Sequence, residues 1–134
     1  MIGVVICSHH TLASALVETV QGIVGEFEAL TAVGVEYGDP PDATLDRIRA
    51  AIAEVDMGDG VVLLCDMFGG TPSNLSLSFL SDELEVVTGV NLPMLLKLFT
   101  ARQRGPLGEI ANSICDDARD NILVAGELLR GVKK

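Results

Sequence analysis

Two polar segments stand out in a chain rich in apolar runs. Ser8-His9-His10-Thr11 follows the apolar run 2–7, while Asp66 and then Met67-Phe68-Gly69-Gly70-Thr71-Pro72 follow the run 61–65. An imidazole that attacks phosphorus needs one nitrogen unprotonated and must tolerate positive charge on the ring. A carboxylate on the other nitrogen fixes the tautomer and stabilises that cation. The transferred group then needs donors: backbone N–H groups at a helix N-terminus, glycine-loop amides, or a hydroxyl such as that of Thr71. Gly69 and Gly70 let the backbone approach closely because no Cβ intervenes. Each feature alone has a plainer meaning. A histidine at a strand end is commonly a half-exposed polar residue, Asp66 could cap a turn, and Gly69-Gly70 could make one. Their joint occurrence at two strand exits favours the chemical reading. No third metal ligand stands near the histidine doublet, and neither a P-loop lysine motif nor G-x-G-x-x-G occurs. No metal, nucleotide or other cofactor is therefore expected.

For the two segments to meet, the elements that carry them must be neighbours. The run 2–7 is short and continuously apolar, as in a strand covered on both faces; 29–35 is a second apolar run, 61–65 is the most strand-like in the chain, and 84–88 reads as a fourth strand. Between them lie helical patterns. Residues 11–24 carry Leu12, Leu16, Val20, Ile23 and Val24 on one stripe, and a second helix presents Leu45, Ile48, Ile52 and Val55. That second helix opens at the punctuation 37–42, where Asp39 or Asp42 can cap it. A short helix is expected over 73–80, another over 91–100, and a long terminal one from 106 to about 129. Strands separated by helices call for parallel pairing with right-handed crossovers. The reading is an α/β fold: one doubly wound domain, residues 1–134, with a mostly parallel sheet of four strands in the order 2-1-3-4 and helices on both faces. In such sheets ligands bind outside the carboxyl ends of the strands, where the order reverses. If the first and third strands are adjacent, as in the flavodoxin-like order, a histidine and Asp66 meet there across one crevice; spacing alone does not choose between His9 and His10.

Composition narrows the partners. The 134 residues hold nine basic and nineteen acidic side chains, a net charge of −10. That balance repels nucleic acid and anionic membrane surfaces. No apolar run is long enough to span a bilayer, and no basic residue precedes the apolar start as a leader requires. Cys7, Cys65 and Cys115, odd in number and in apolar surroundings, read as buried thiols of a reducing cytosol. The Asp116-Asp117 cluster reads as a solvated helix face. Residues 91–96 follow a strand end without evident cover, so a symmetric partner is expected to bury them.

The motifs resemble the enzyme IIA component of the mannose-type sugar phosphotransferase system. Three segments carry the resemblance: Ser8-His9 followed by Leu12-Ala13, Asp66-Met67-Phe68-Gly69-Gly70-Thr71-Pro72-Ser73-Asn74, and Gly89-Val90-Asn91-Leu92-Pro93-Met94-Leu95. The middle one is the most specific, and the pattern runs from residue 1 to about 129. The resemblance implies a cytoplasmic, homodimeric phosphocarrier that accepts a phosphoryl group from phospho-HPr. It passes the group to an enzyme IIB, linked in turn to membrane IIC and IID components. It selects His9 as the phosphorylated histidine, Asp66 as the carboxylate that orients it, and Thr71 as the hydroxyl of the Gly-Gly-Ser/Thr-Pro loop. Gly69, Gly70 and His10 are then candidates for contact with the phosphoryl group.

One departure concerns the residue after the active histidine, which is usually glycine in that family and is His10 here. No fused IIB domain follows within the 134 residues, so onward transfer is expected to a separate protein. A regulatory phosphorylation switch would share His9 and Asp66. The phosphotransfer subunit of dihydroxyacetone kinase also places a histidine after its first strand, but the loop 66–74 and the segment 91–94 fit that family less well.

Overall fold

A computed structural model describes residues 1–131; the last three residues of the expected domain, 132–134, lie outside the described residues. Four strands form one parallel sheet: β1 (Gly3–His9), β2 (Leu30–Val35), β3 (Val61–Cys65) and β4 (Leu84–Thr88). Their order is β2-β1-β3-β4, the expected flavodoxin-like order, and every pairing is parallel, as strands alternating with helices require. Cys7 of β1 pairs with Cys65 of β3, so the exits at His9 and Asp66 emerge side by side.

Period-two alternation divides the core. Val4, Ile6, Val62, Leu64 and Val87 face one side, where α1 (Leu12–Val24), α4 (Leu92–Ala101) and α5 (Leu107–Asp120) cover them. Val5, Cys7, Val33, Leu63 and Cys65 face the other, toward α2 (Pro41–Val55) and α3 (Thr71–Ser76). The central stretches 3–7 and 61–65, buried on both faces, need no polar alternate, which explains their uninterrupted apolar composition, whereas β2 and β4 at the sheet edges are partly exposed and β4 carries Glu85.

Several local expectations change. The helix expected over 73–80 begins at Thr71 and passes at Ser76 into a 3₁₀ turn, Leu77–Phe79. Neither Asp39 nor Asp42 caps α2. Pro40 occupies the cap position, and Asp39 instead accepts the Glu36 N–H at 2.8 Å. The long terminal helix is two helices, α5 and α6 (Ala125–Leu129). Its apolar stripe ends at Ala118, the Asn121 side chain donates back to the Asp117 carbonyl, and the Ile122 N–H closes a turn onto Arg119. Without a buried stripe, the β-branched Ile122 and Val124 have little to hold them helical; both are exposed. Residues 91–96 are not the uncovered surface expected of them. Met94 and Leu95 are buried in the core that α5 helps form, and Asn91 caps α4 by accepting the Met94 N–H at 2.9 Å. Cys7 and Cys65 are buried as expected, while Cys115 is only partly so.

At the opposite end of the sheet from His9, a side chain the sequence did not flag does structural work. Arg102 is buried, and its guanidinium donates to the carbonyls of Ile2, Glu28 and Ala29. Its Cζ lies over the Phe27 ring, 4.8 Å from the centroid. Burial pushes its pKa down, opposed by the nearby Glu28 charge. Fixed donors matched to carbonyl dipoles keep the buried cation solvated by protein.

Candidate active site

The site is assembled where β1 and β3 end. The His9 Nδ1 lies 2.8 Å from Asp66 Oδ2, and the His9 backbone N–H donates to the same oxygen at 3.0 Å. The other oxygen, Oδ1, accepts the Met67 N–H at 3.0 Å. One carboxylate thus grips ring and main chain of the histidine together. Burial alone would push the Asp66 carboxyl up. The His9 amide, the His9 imidazole and the Met67 amide outweigh it and hold the group below its ordinary value of 3.8. An ionised carboxylate acts only as an acceptor, so Nδ1 is the nitrogen that carries the proton in this pair, and in the neutral ring the lone pair is on Nε2. The imidazole is half exposed at 47%, against 12% for the carboxylate.

The glycine loop forms the other wall. A Cβ on Gly70 would lie 2.6 Å from His9 Cε1 and 3.1 Å from Nε2, so only glycine lets the chain pass this close to the ring. Gly69 has φ +92°, a left-handed conformation that glycine adopts without cost. Thr71 is exposed and opens α3 behind Gly70. Its N–H belongs to the first turn, whose amides have no partner within the helix. Met67 and Phe68 are exposed at 54% and 71%, making an apolar rim beside the dyad.

His10 goes elsewhere. Its Nδ1 sits 2.8 Å from both Glu36 oxygens, and Glu36 follows β2, on the opposite flank of β1 from Asp66. The ring is 73% exposed and the residue has φ +50°, the left-handed region. The structure therefore brings His9, Asp66 and Gly70 into one cluster with Gly69 and Thr71 beside it, and turns His10 to a separate carboxylate. Glu36 escaped the sequence reading, although it was findable: once β2 lies beside β1, the first residue past β2 must neighbour the exit of β1. Two buried serines also escaped it. Ser8 Oγ accepts the Ala13 N–H at 2.6 Å, tying off the start of α1. Ser73 Oγ bonds both glycines of the loop. Among the described residues, no group of three or more His, Cys, Asp or Glu side chains is arranged to hold a metal ion.

The family described as "PTS system fructose IIA component" (EIIA-man) matches residues 3–115. The chain is 31% identical over 135 residues to the PTS system fructose-specific EIIA component of Bacillus subtilis, covering 99% of this chain and 92% of that protein. The chain belongs to the mannose-type EIIA family.

Other EIIA relatives agree. The PTS system mannose-specific EIIAB component of Escherichia coli K12 is 32% identical over 78% of this chain, which spans 33% of that longer protein. The crystal structure of a PTS IIA protein associated with the fucose utilization operon of Streptococcus pneumoniae superposes with a TM-score of 0.83. That match has 26% identity and covers 95% of each chain. By family, then, the chain is a IIA component of the phosphotransferase system. Among the described residues, no helix is long and apolar enough to cross a membrane.

Proposed function

We propose that this EIIA is a cytoplasmic phosphocarrier in sugar uptake, accepting a phosphoryl group on Nε2 of His9 from phospho-HPr and passing it to a separate enzyme IIB. The observation that carries the reading is the His9–Asp66 pair, with Nδ1 committed to the carboxylate and the imidazole half exposed. In the step, the Nε2 lone pair forms a new P–N bond while the P–N bond in the donor breaks and returns its electron pair to the donor imidazole. The Nδ1 proton stays where it is, and the Asp66 charge stabilises the cationic ring that results. Amides of Gly70 and Thr71 and the Thr71 hydroxyl are the donors for the phosphoryl oxygens. His10, committed to Glu36, is a rim residue.

Residues 1–134 act as one IIA domain, and the link to membrane IIC and IID components is indirect, through IIB. The carrier works as a homodimer. Support for this comes from Ile122, Leu123, Val124, Leu128 and Leu129, all more than half exposed on the terminal segment. Light scattering at high micromolar concentration is expected to return twice the monomer mass; a monomer overturns the dimer. The phosphocarrier reading is tested by incubation with phosphoenolpyruvate, enzyme I and HPr, followed by intact mass and site mapping. One phosphoryl group on His9 is expected, and its disappearance when a IIB protein is added distinguishes a carrier from a purely regulatory switch. No uptake of phosphate, or uptake elsewhere, refutes the reading.

A further inference from the structure

Ser73 lies in the first turn of α3, wholly buried, with no surface through which to meet a partner protein. Its hydroxyl makes two bonds, both to the loop it follows. Oγ accepts the Gly69 N–H at 3.0 Å and donates to the Gly70 carbonyl at 3.0 Å. The next residue adds to the same clip: the Asn74 amide donates to the Gly70 carbonyl at 2.9 Å and its side chain to the Gly69 carbonyl at 3.4 Å. Two consecutive glycines are the segment least able to hold a shape unaided, because each loses more backbone freedom on ordering than any other residue. Yet Gly70 is the surface against which the His9 ring rests, closer than any residue with a Cβ allows. Asp66 fixes the ring at one edge through Nδ1. That single hydrogen bond leaves a rocking motion about itself, and the Gly70 backbone limits it on the side of Cε1 and Nε2.

We infer that Ser73 is a positioning residue for phosphoryl transfer: its buried hydroxyl braces Gly69-Gly70 as a fixed wall that aims Nε2 of His9. This rests on the proposal that His9 is the acceptor. An alanine at this position would serve the helix as well, so capping α3 alone gives no reason for a buried hydroxyl bonded to both glycines. Orientation of the attacking atom enters the rate of the chemical step and not the affinity of the donor protein. Ser73→Ala is therefore expected to lower kcat for acceptance from phospho-HPr about tenfold, with KM for phospho-HPr unchanged.

The test pairs that kinetic split with a readout that needs no phosphoryl transfer. In the unphosphorylated protein, NMR should show a strong cross-peak between the His9 ring Hε1 and the Gly70 α-protons, weakened in Ser73→Ala while the melting temperature shows the variant folded. Loss of kcat and of the cross-peak together support the assignment. A wild-type kcat, or an undiminished cross-peak in the folded variant, overturns it, as does an effect confined to KM. Should the wild-type protein fail to accept phosphate at all, the phosphocarrier reading falls, while the cross-peak still decides what Ser73 does to the ring. If Ser73→Ala does not fold, amide exchange in the wild-type protein decides. Gly69, exposed but bonded to a buried hydroxyl, should exchange slowly, and exchange at the rate of a free loop amide overturns the bracing.

Discussion

Replacing Asp66 by asparagine keeps the shape of the side chain and removes what the site uses. The carboxylate receives three N–H groups, two on Oδ2 and one on Oδ1. Asparagine offers one oxygen and one NH2, so it cannot serve both sides. With its oxygen toward His9, the NH2 faces the Met67 N–H, donor against donor. With its NH2 toward His9, the imidazole must present a lone pair at Nδ1, which moves the proton to Nε2 and blocks attack. Either way at least one charge-assisted hydrogen bond is lost, worth about 1.5–3 kcal/mol. The negative charge that balances the phosphorylated ring is lost as well. At about 1.4 kcal/mol per decade, the first loss alone slows phosphorylation roughly ten- to a hundredfold. Rapid-quench single-turnover acceptance from phospho-HPr, with intact mass as readout, measures the rate. Long-range proton–nitrogen correlation of the imidazole reports which nitrogen holds the proton. A variant phosphorylated at the normal rate refutes the pairing of His9 with Asp66 as the basis of reactivity.

Other consequences follow from the same geometry. His10→Gly relieves a left-handed backbone conformation that costs a non-glycine residue about 1 kcal/mol. It should raise stability in urea unfolding and leave phosphorylation equal or faster, whereas His9→Ala abolishes it; the reverse outcome at the two positions refutes the register assigned to the histidines. Arg102→Met strands the carbonyls of Ile2, Glu28 and Ala29, so stability should drop by about 3 kcal/mol in denaturant titration, and an unchanged midpoint rules out the clamp. Because the folded Asp66 pKa lies below the ordinary 3.8, its stabilising contribution is complete above that value. It is lost as pH falls through the lower folded value. Unfolding curves from neutral pH into acid should therefore be less steep in pH for Asp66→Asn than for wild type; identical slopes refute the depressed pKa.

The sheet was legible because its central strands are buried on both faces, and an uninterrupted apolar run such as 61–65, bounded by Gly60 and Asp66, has few other readings. The dyad was legible because topology, once given, dictates which exits adjoin. What escaped was set by packing. The end of the last helix depended on where its buried stripe ran out, at Ala118, although Ile122 and Leu123 look equally apolar in the sequence. Arg102 reads as one more surface cation until three carbonyls converge on it. Ser73 reads as a small residue in a turn, because nothing local says that its hydroxyl faces back toward Gly69. The direction taken by His10 was open because consecutive residues of a turn diverge by backbone angles that residue type alone does not fix, and a histidine at φ +50° is uncommon.

The Arg102 clamp also sets an order of events during synthesis. Ile2 and Arg102 stand a hundred positions apart, yet the start of β1 is tied to the end of α4 by side chain and main chain alike. A nascent chain can emerge with β1, α1, β2 and β3 in hand and still lack the group that receives the carbonyls of Ile2, Glu28 and Ala29. Contacts of such long sequence separation form late, since the intervening loop must close before they contribute. The end of the sheet remote from His9 therefore stays open until most of the chain is made. A polypeptide truncated before Arg102 leaves those three carbonyls without their donor, and such incompletely packed chains are suited to recognition by chaperones and proteases. The residues of the reactive end all lie within the first 76 positions, so they leave the ribosome before the residue that closes the clamp.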